Sequence, residues 1–335
     1  MIKAITLTGF KSFVSDYIEL RNLTLLTGLN SSGKSSVIQS LLMGNNAASN
    51  KEILLDGHGD WGELKNSYSK ETLLEYDFTD DASMSITKSK VKKKGKLSFP
   101  KIIHIAADRL GPETSNQIYG GNNYSLGKKG ENVFKVIDYY SENYDEKKLP
   151  SIMVHEDSQG ETFGYNLEAW LGIISPNTKF QYQMLKQADT SFSTFNGYRA
   201  KNVGFGLSYS LPIIVALLVG SITENSLVIL ENPEAHLHPR GQTEMARLIS
   251  LCAESGSQVI VETHSDYIFD GVRVYTKKNK TNFHEKVIVH WFELNKEKNT
   301  EPEFVRIDKN GRVEEWPKGM FDQFEINSRE LLRND

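Results

Sequence analysis

The chain reads as an α/β fold whose core sheet is assembled from segments lying far apart in sequence. Three observations predict this. The short apolar run Leu23-Thr24-Leu25-Leu26-Thr27 leads into the loop Gly28 to Ser35, and Ser36 to Met43 then has the apolar face of a helix. Some 200 residues later, Ser226 to Leu230 forms a second buried run ending in Glu231. A helix opened by Pro239 follows, with Met245, Leu248 and Ile249 on its apolar face, and Gln258 to Glu262 supplies the next strand. Such a βαβ unit places parallel strands side by side by a right-handed crossover. Between the two halves, alternation in Leu73 to Phe78, Ser83 to Val91 and Leu97 to Ile105 suggests an antiparallel sheet, with Lys92-Lys93-Lys94-Gly95 as a hairpin turn. One split domain over all 335 residues is therefore expected. Its parts are an N-terminal lobe (1–112), a variable insertion with helical patches around Val133 to Tyr140 and Leu167 to Ile174 (113–201), and a C-terminal lobe (202–335).

The loop Gly28-Leu29-Asn30-Ser31-Ser32-Gly33-Lys34-Ser35 is a complete P-loop. Its glycines let the backbone wrap around phosphate oxygens with N–H groups pointing inward, and the helix that follows adds its positive end. Asn30, Ser31, Ser32, Gly33 and Ser36 are the expected cradle; Lys34 reaches the β and γ phosphates of ATP, and Ser35 offers its hydroxyl to Mg²⁺. Glu231 emerges at the carboxyl end of its strand, where open α/β sheets bind ligands. His264 ends the adjacent strand, so the two are expected on one sheet edge. Ser208, after the flexible Gly204-Phe205-Gly206, is expected to cap an apolar helix through Ile213, Leu217 and Leu218, a second phosphate-binding helix start with a free hydroxyl.

The order of P-loop, serine-led helix, acidic strand end and histidine strand end resembles the ATP-binding-cassette class of P-loop ATPases, in the branch of RecF, Rad50 and the overcoming-lysogenization-defect proteins. Ile5 to Phe13 resembles that branch's first strand and turn, and Glu234-Ala235-His236-Leu237-His238-Pro239 its stretch after the acidic strand. A narrower resemblance is to compact bacterial ATPases of anti-phage defence operons, carried by Val203 to Ser208, Glu231 to Pro239, Glu262 to Asp266 and Trp316 to Gln323. The resemblance implies an ABC-type split ATPase head with a mixed or parallel core sheet, an antiparallel β subdomain and an α-containing insertion. It implies a head-to-tail homodimer around two ATP molecules, in which Ser208 of the second subunit closes on the γ phosphate. Glu231 would hold Mg²⁺ together with Ser35, His264 would sense the γ phosphate, and Lys11 would touch base or ribose.

Two departures stand out. The class usually pairs Asp with a water-polarising Glu, whereas here the pair is Glu231 and Asn232, and asparagine cannot accept a proton. It can orient water, and Glu234 is a candidate substitute base. Tyr209 and Ser210 occupy positions where the class often has glycines. Binding of ATP with slow hydrolysis is the expectation.

A net charge of −4 argues against a protein that coats nucleic acid with its whole surface. Lys88, Lys90, Lys92, Lys93, Lys94 and Lys96 remain a local candidate for nucleic-acid phosphates. The single cysteine, Cys252, fits a reducing compartment, and the first residues carry no secretory pattern, so a cytoplasmic location is expected. Leu211 to Ile222 is too short to span a bilayer and carries Pro212, so no membrane is expected. Arg109 is a minor candidate for phosphate or interface contact. His236, His238 and Glu234 have a spacing that could suit zinc, but they follow directly on the acidic strand; a serine-hydrolase elbow is missing its last glycine. About 60 residues follow the linker Lys277 to Lys280, too few for a nuclease domain. The favoured reading is an ATPase whose dimerisation, or assembly into something larger, controls a separately encoded effector, a nuclease or toxin, in defence against foreign DNA. The alternatives are a nucleotide-gated scaffold with negligible hydrolysis and a RecF-like repair ATPase acting on DNA.

Overall fold

The computed structural model describes residues 1–118, 121, 124–143, 146–279 and 281–333. The N-terminal lobe runs β1 (Ile2–Phe10), β2 (Phe13–Glu19), β3 (Leu23–Gly28), α1 (Lys34–Ala48), β4 (Leu73–Phe78), β5 (Ser83–Ile86), β6 (Val91–Lys94) and β7 (Lys101–Ile105). The insertion holds β8 (Asn116–Gln117), α2 (Val133–Glu142), α3 (Phe163–Gly172), β9 (Phe180–Leu185), β10 (Thr190–Phe195) and β11 (Tyr198–Arg199). The C-terminal lobe follows with α4 (Phe205–Ile222), β12 (Ser226–Glu231), α5 (Pro239–Glu254), β13 (Gln258–Glu262), α6 (Asp266–Lys278), β14 (Val287–Leu294), β15 (Thr300–Val305) and α7 (Gln323–Leu332). Lys280, in the expected linker, lies outside the described residues, as do short stretches of the insertion.

A six-stranded sheet in the order β15-β14-β3-β13-β12-β7 forms the centre. All its pairings are parallel except β14 with β15. Its inner strands β3, β12 and β13 are buried on both faces because both faces are covered. Val228 and Leu230 of β12 face the helical layer of α2 to α6, while Leu227 and Ile229 face α1 and the antiparallel sheet. Leu25 and Leu26 of β3 divide the same way, as the period of two requires. The second sheet, order β2-β1-β4-β5-β6, is five-stranded and antiparallel. The insertion has its own small sheet, with β10 paired to β8, β9 and β11.

Three expectations are corrected. The run from Leu97 does not join the antiparallel sheet: only Lys101–Ile105 is a strand, and it pairs in parallel with β12 from Ser226↔Lys101 to Leu230↔Ile105. Ile103 and Ile105 there serve one core and Ile102 the other, so central burial outweighs local alternation. Lys92, Lys93 and Lys94 are not a turn but lie in β6, the exposed edge strand; the hairpin turns through Thr87 to Lys90. Lysines on an edge discourage strand addition. Finally, the apolar stretch read as Leu211 to Ile222 belongs to a longer helix, the 18-residue α4, which by length and composition could cross a membrane. Yet 67% of it is buried inside the protein. It is apolar all round because it packs against β7, β12, α2, α3 and α5.

Candidate nucleotide site

The P-loop geometry follows from its glycines. Gly28 has φ 135° and Gly33 φ 110°, both closed to ordinary side chains, and a Cβ on Gly28 would run into the Phe292 carbonyl of β14. Ser31 also takes a left-handed φ of 61°. The loop therefore curls tightly over the end of β3. Lys34, only 3% exposed, donates from Nζ to the carbonyls of Gly28 (3.1 Å) and Leu29 (2.6 Å), folded back across the cradle in which phosphate would sit. Burial lowers its pKa, and the nearby Glu262 carboxylate opposes this. Lys11, at left-handed φ 53°, bonds Gln39 of α1 and faces the same depression. Asn30, Ser31, Ser32, Gly33, Lys34, Ser35, Ser36, Glu262 and His264 line it with Lys11, Ser12 and Gln39.

The carboxyl ends of β12 and β13 supply the acids. In the parallel register Glu231 stands beside Glu262, and Glu262 beside Leu26 of β3, so Glu262 is the nearer of the two to the P-loop. Its carboxylate accepts from Ser35 Oγ at 3.1 and 3.2 Å. Burial and the Glu231 charge push its pKa up, against the pull of Lys34 and Ser35. Glu231 does not line the P-loop depression; its carboxylate accepts from His104 Nε2 at 2.8 Å and from the Ala107 N–H at 3.4 Å. Without nucleotide, Ser35 is hydrogen-bonded to Glu262 and not to Glu231. The physical reason is strand order: β13 lies between β3 and β12. Sequence reasoning assigned Glu262 no role, although its position at the end of a buried strand was the same signal that singled out Glu231.

Beyond Glu231 the chain turns sharply. Asn232 has a left-handed φ of 46°, a conformation asparagine tolerates better than glutamate, and its N–H bonds the Glu262 carbonyl at 2.8 Å. Glu234 Oε1 accepts from the His264 N–H at 2.9 Å, while its Oε2 is buried without a partner among the described residues. Glu234 thus sits against the histidine turn. Burial and Lys34 lower the pKa of His264, which keeps a neutral imidazole at the edge of the depression. Arg109 is buried, 4% exposed, and donates to the carbonyls of Ala106, Glu231 and Asn232 at 2.7–2.9 Å. It locks the turn after β12.

Ser208 departs from expectation. Gly204 is the N-cap of α4, so Ser208 lies within the first turn, and its hydroxyl is enclosed with no partner among the described residues. It does not line the P-loop depression of its own chain. What α4 presents outward is its N-terminal backbone and Phe205, 51% exposed. Tyr209, at the position of a class glycine, packs edge-on against His236 (centroids 4.6 Å apart) and lies beneath the Arg109 guanidinium at 5.3 Å. Gly206 is required here, since a Cβ would lie 2.9 Å from the His236 carbonyl. No group of three or more His, Cys, Asp or Glu that could hold a metal occurs among the described residues. Ser35 and Glu262 form an all-oxygen pair of the kind Mg²⁺ takes alongside nucleotide phosphates and water.

The AAA ATPase domain family matches residues 1–159 and 131–269, overlapping segments that span P-loop, α4, β12, β13 and His264. The chain belongs to the AAA ATPase domain family. The C-terminal part of this AAA ATPase, residues 283–331, matches a second family described as a protein of unknown function (DUF3696). No curated protein matches the chain. Among solved structures, an Smc head bound to the C-winged helix domain of ScpA is similar at TM-score 0.58 and 12% identity, covering 92% of this chain and 98% of that one. An Smc head with an extended coiled coil, bound to the C-terminal domain of ScpA, from Pyrococcus furiosus, gives 0.54 at 12% identity and 99% coverage of both. At that identity the likeness is one of fold, and it is the fold of the ABC-class ATPase head expected from the sequence. The chain is an AAA ATPase domain with that fold.

Proposed function

We propose that this ATPase binds Mg²⁺–ATP, hydrolyses it slowly, and dimerises head to tail around two nucleotides to control a separately encoded effector, a nuclease or toxin, in defence against foreign DNA. The observation that carries the ATPase reading is the P-loop depression, with Lys34, Ser35, Glu262 and His264 converging at the carboxyl edge of a parallel sheet. Lys34 would leave the loop carbonyls for β and γ oxygens, and the cradle N–H groups would take the remaining charge. Mg²⁺, held by Ser35 and the acidic strand ends, would neutralise charge developing on the phosphates. Neutral His264 suits a γ-phosphate hydrogen bond. Slow turnover follows from Asn232, which carries no carboxylate at the position where the class has its base, and from Glu234, whose carboxylate is turned to the His264 backbone.

Dimerisation is supported by the exposed N-terminus of α4, which bonds nothing in its own P-loop depression. The enclosed Ser208 hydroxyl implies that the first turn of α4 shifts on closure, or that backbone N–H groups make the contact. The solved Smc heads carry a bound partner domain, which supports a protein partner here. A nucleotide-gated scaffold is a second reading, favoured by Asn232 alone.

The deciding experiment measures ATP hydrolysis by the wild type beside Glu231→Gln, Asn232→Ala and Glu234→Ala, with light scattering for assembly. Turnover that Glu234→Ala abolishes without loss of ATP-induced assembly makes Glu234 the base. Assembly without any turnover establishes the scaffold, and neither activity sinks the proposal.

A further inference from the structure

We infer that Thr300, the first residue of β15, is a positioning residue for ATP: it orients the phosphate cradle by fastening the P-loop to the turn between β1 and β2. The inference rests on the ATP-binding reading above and deepens it, because it gives the hairpin β14–β15, in the stretch that matches a family of unknown function, a part in that site. Thr300 does not line the depression itself. It is 3% exposed, and its hydroxyl oxygen lies 2.9 Å from the Ser32 carbonyl and 2.6 Å from Ser12 Oγ. A carbonyl can only accept, so the Thr300 hydroxyl donates to Ser32 and the Ser12 hydroxyl donates to Thr300. The Thr300 N–H closes the link by donating to the Ser12 carbonyl at 2.8 Å.

The bond to Ser32 matters because covalent geometry leaves that peptide free to turn. Gly33 takes φ 110°, and a glycine accepts positive and negative φ alike, so the Ser32–Gly33 peptide can turn over at little steric cost. Turned over, it would offer phosphate a carbonyl oxygen instead of an N–H. In a trans peptide the C=O and the N–H point opposite ways. A Ser32 carbonyl held on Thr300 therefore sends the Gly33 N–H away from the hairpin, and Gly33 lines the depression. The approach is close, since a Cβ on Gly33 would lie 2.6 Å from the Thr300 hydroxyl oxygen. The hairpin is itself firmly held. The Phe292 carbonyl of β14 accepts from the Leu29 N–H at 3.2 Å, and in the connecting turn Asn295 Oδ1 accepts from the N–H groups of Glu297 and Asn299 at 3.0 Å each. Asn66 Nδ2 donates both to Asn299 Oδ1 and to the Lys11 carbonyl. Hairpin, P-loop and β1–β2 turn thus form one frame.

The probe is a fluorescent ATP analogue in the presence of Mg²⁺, titrated against wild type, Thr300→Val and Thr300→Ser. Valine keeps the shape of threonine and loses the hydroxyl, whereas serine keeps the hydroxyl. The expected result is binding about tenfold weaker for Thr300→Val, the effect of one misdirected hydrogen bond to a charged group, with Thr300→Ser within about threefold of wild type. Inorganic tripolyphosphate, competing against the analogue, should weaken by the same factor, because the defect lies in the phosphate cradle and not beside the base. Thr300→Ala drops the same hydroxyl without added bulk and replaces the valine variant if that fails to fold. A Thr300→Val protein that binds like wild type overturns the inference and leaves the ATP-binding reading intact. Thr300→Ser as weak as Thr300→Val also overturns it, since packing and not the hydroxyl then matters, as does a loss that spares tripolyphosphate. A wild type that binds no analogue removes the ATP-binding reading as well.

Discussion

At the scale of single residues, backbone conformation explains a departure that side-chain chemistry alone made puzzling. Asn232 occupies a left-handed turn at φ 46°, held by its N–H on Glu262 and its carbonyl on Arg109. Asparagine visits that region readily, whereas other residues pay roughly 1–2 kcal/mol there. Asn232→Glu is therefore expected to lower stability by about 1 kcal/mol while restoring a carboxylate where the class carries one. Turnover should rise about tenfold or more if a missing base limits it. Single-turnover hydrolysis together with a denaturant melt checks both halves, and an unchanged rate means that Asn232 does not limit turnover. Asn232 was legible in the sequence as a departure; its φ was not, because only the turn between β12 and Pro239 imposes it.

At the scale of elements, α4 and the turn after β12 behave as one body. Gly206 packs under the His236 carbonyl, Tyr209 rests against the His236 ring, and Arg109 joins that tyrosine to the carbonyls of Glu231 and Asn232. A methyl at Gly206 must push these pieces apart, at a cost of about 1–3 kcal/mol. Gly206→Ala is expected to keep ATP affinity in the monomer but to lose ATP-induced dimerisation, read by light scattering at matched nucleotide occupancy. Retained dimerisation would show that the start of α4 is not part of the closing surface. The helix itself was evident from its apolar run. Its N-terminus was misplaced by four residues because Gly204, not Ser208, takes the extended cap conformation.

At the scale of the whole molecule, buried histidines couple stability to pH. His290 of β14 bonds the Glu19 carbonyl at 2.7 Å, and burial pushes its pKa below its ordinary 6.5. His155, against Trp170, is lowered by burial and by Arg247. For each, the unfolded chain binds a proton that the folded chain refuses once pH drops below 6.5. Stability is therefore present above that value and declines as pH falls toward the folded pKa. Thermal melts between neutral and mildly acidic pH should show this decline, smaller in His290→Gln; a flat profile would contradict it. The lysine edge of the antiparallel sheet makes a separate prediction. If Lys92, Lys93 and Lys94 meet nucleic acid, replacing all three by serine lowers the slope of log affinity against log salt by about three. No change in slope leaves them as a solvated edge.

The sequence by itself determined the P-loop, the two acid-bearing strand ends, the apolar core helix and the class of the fold. Each of these depends on local spacing or on a period that a buried strand or helix must obey. Tertiary structure alone decided which acid meets Ser35, because β13 enters the sheet between β3 and β12 and brings Glu262 across from Leu26. It likewise decided that Lys101–Ile105 joins the parallel sheet, that Arg109 is spent on backbone carbonyls, and that the Ser208 hydroxyl is enclosed. Such outcomes rest on contacts between residues far apart in sequence, and no local pattern encodes which of two equivalent carboxylates a neighbouring strand will present.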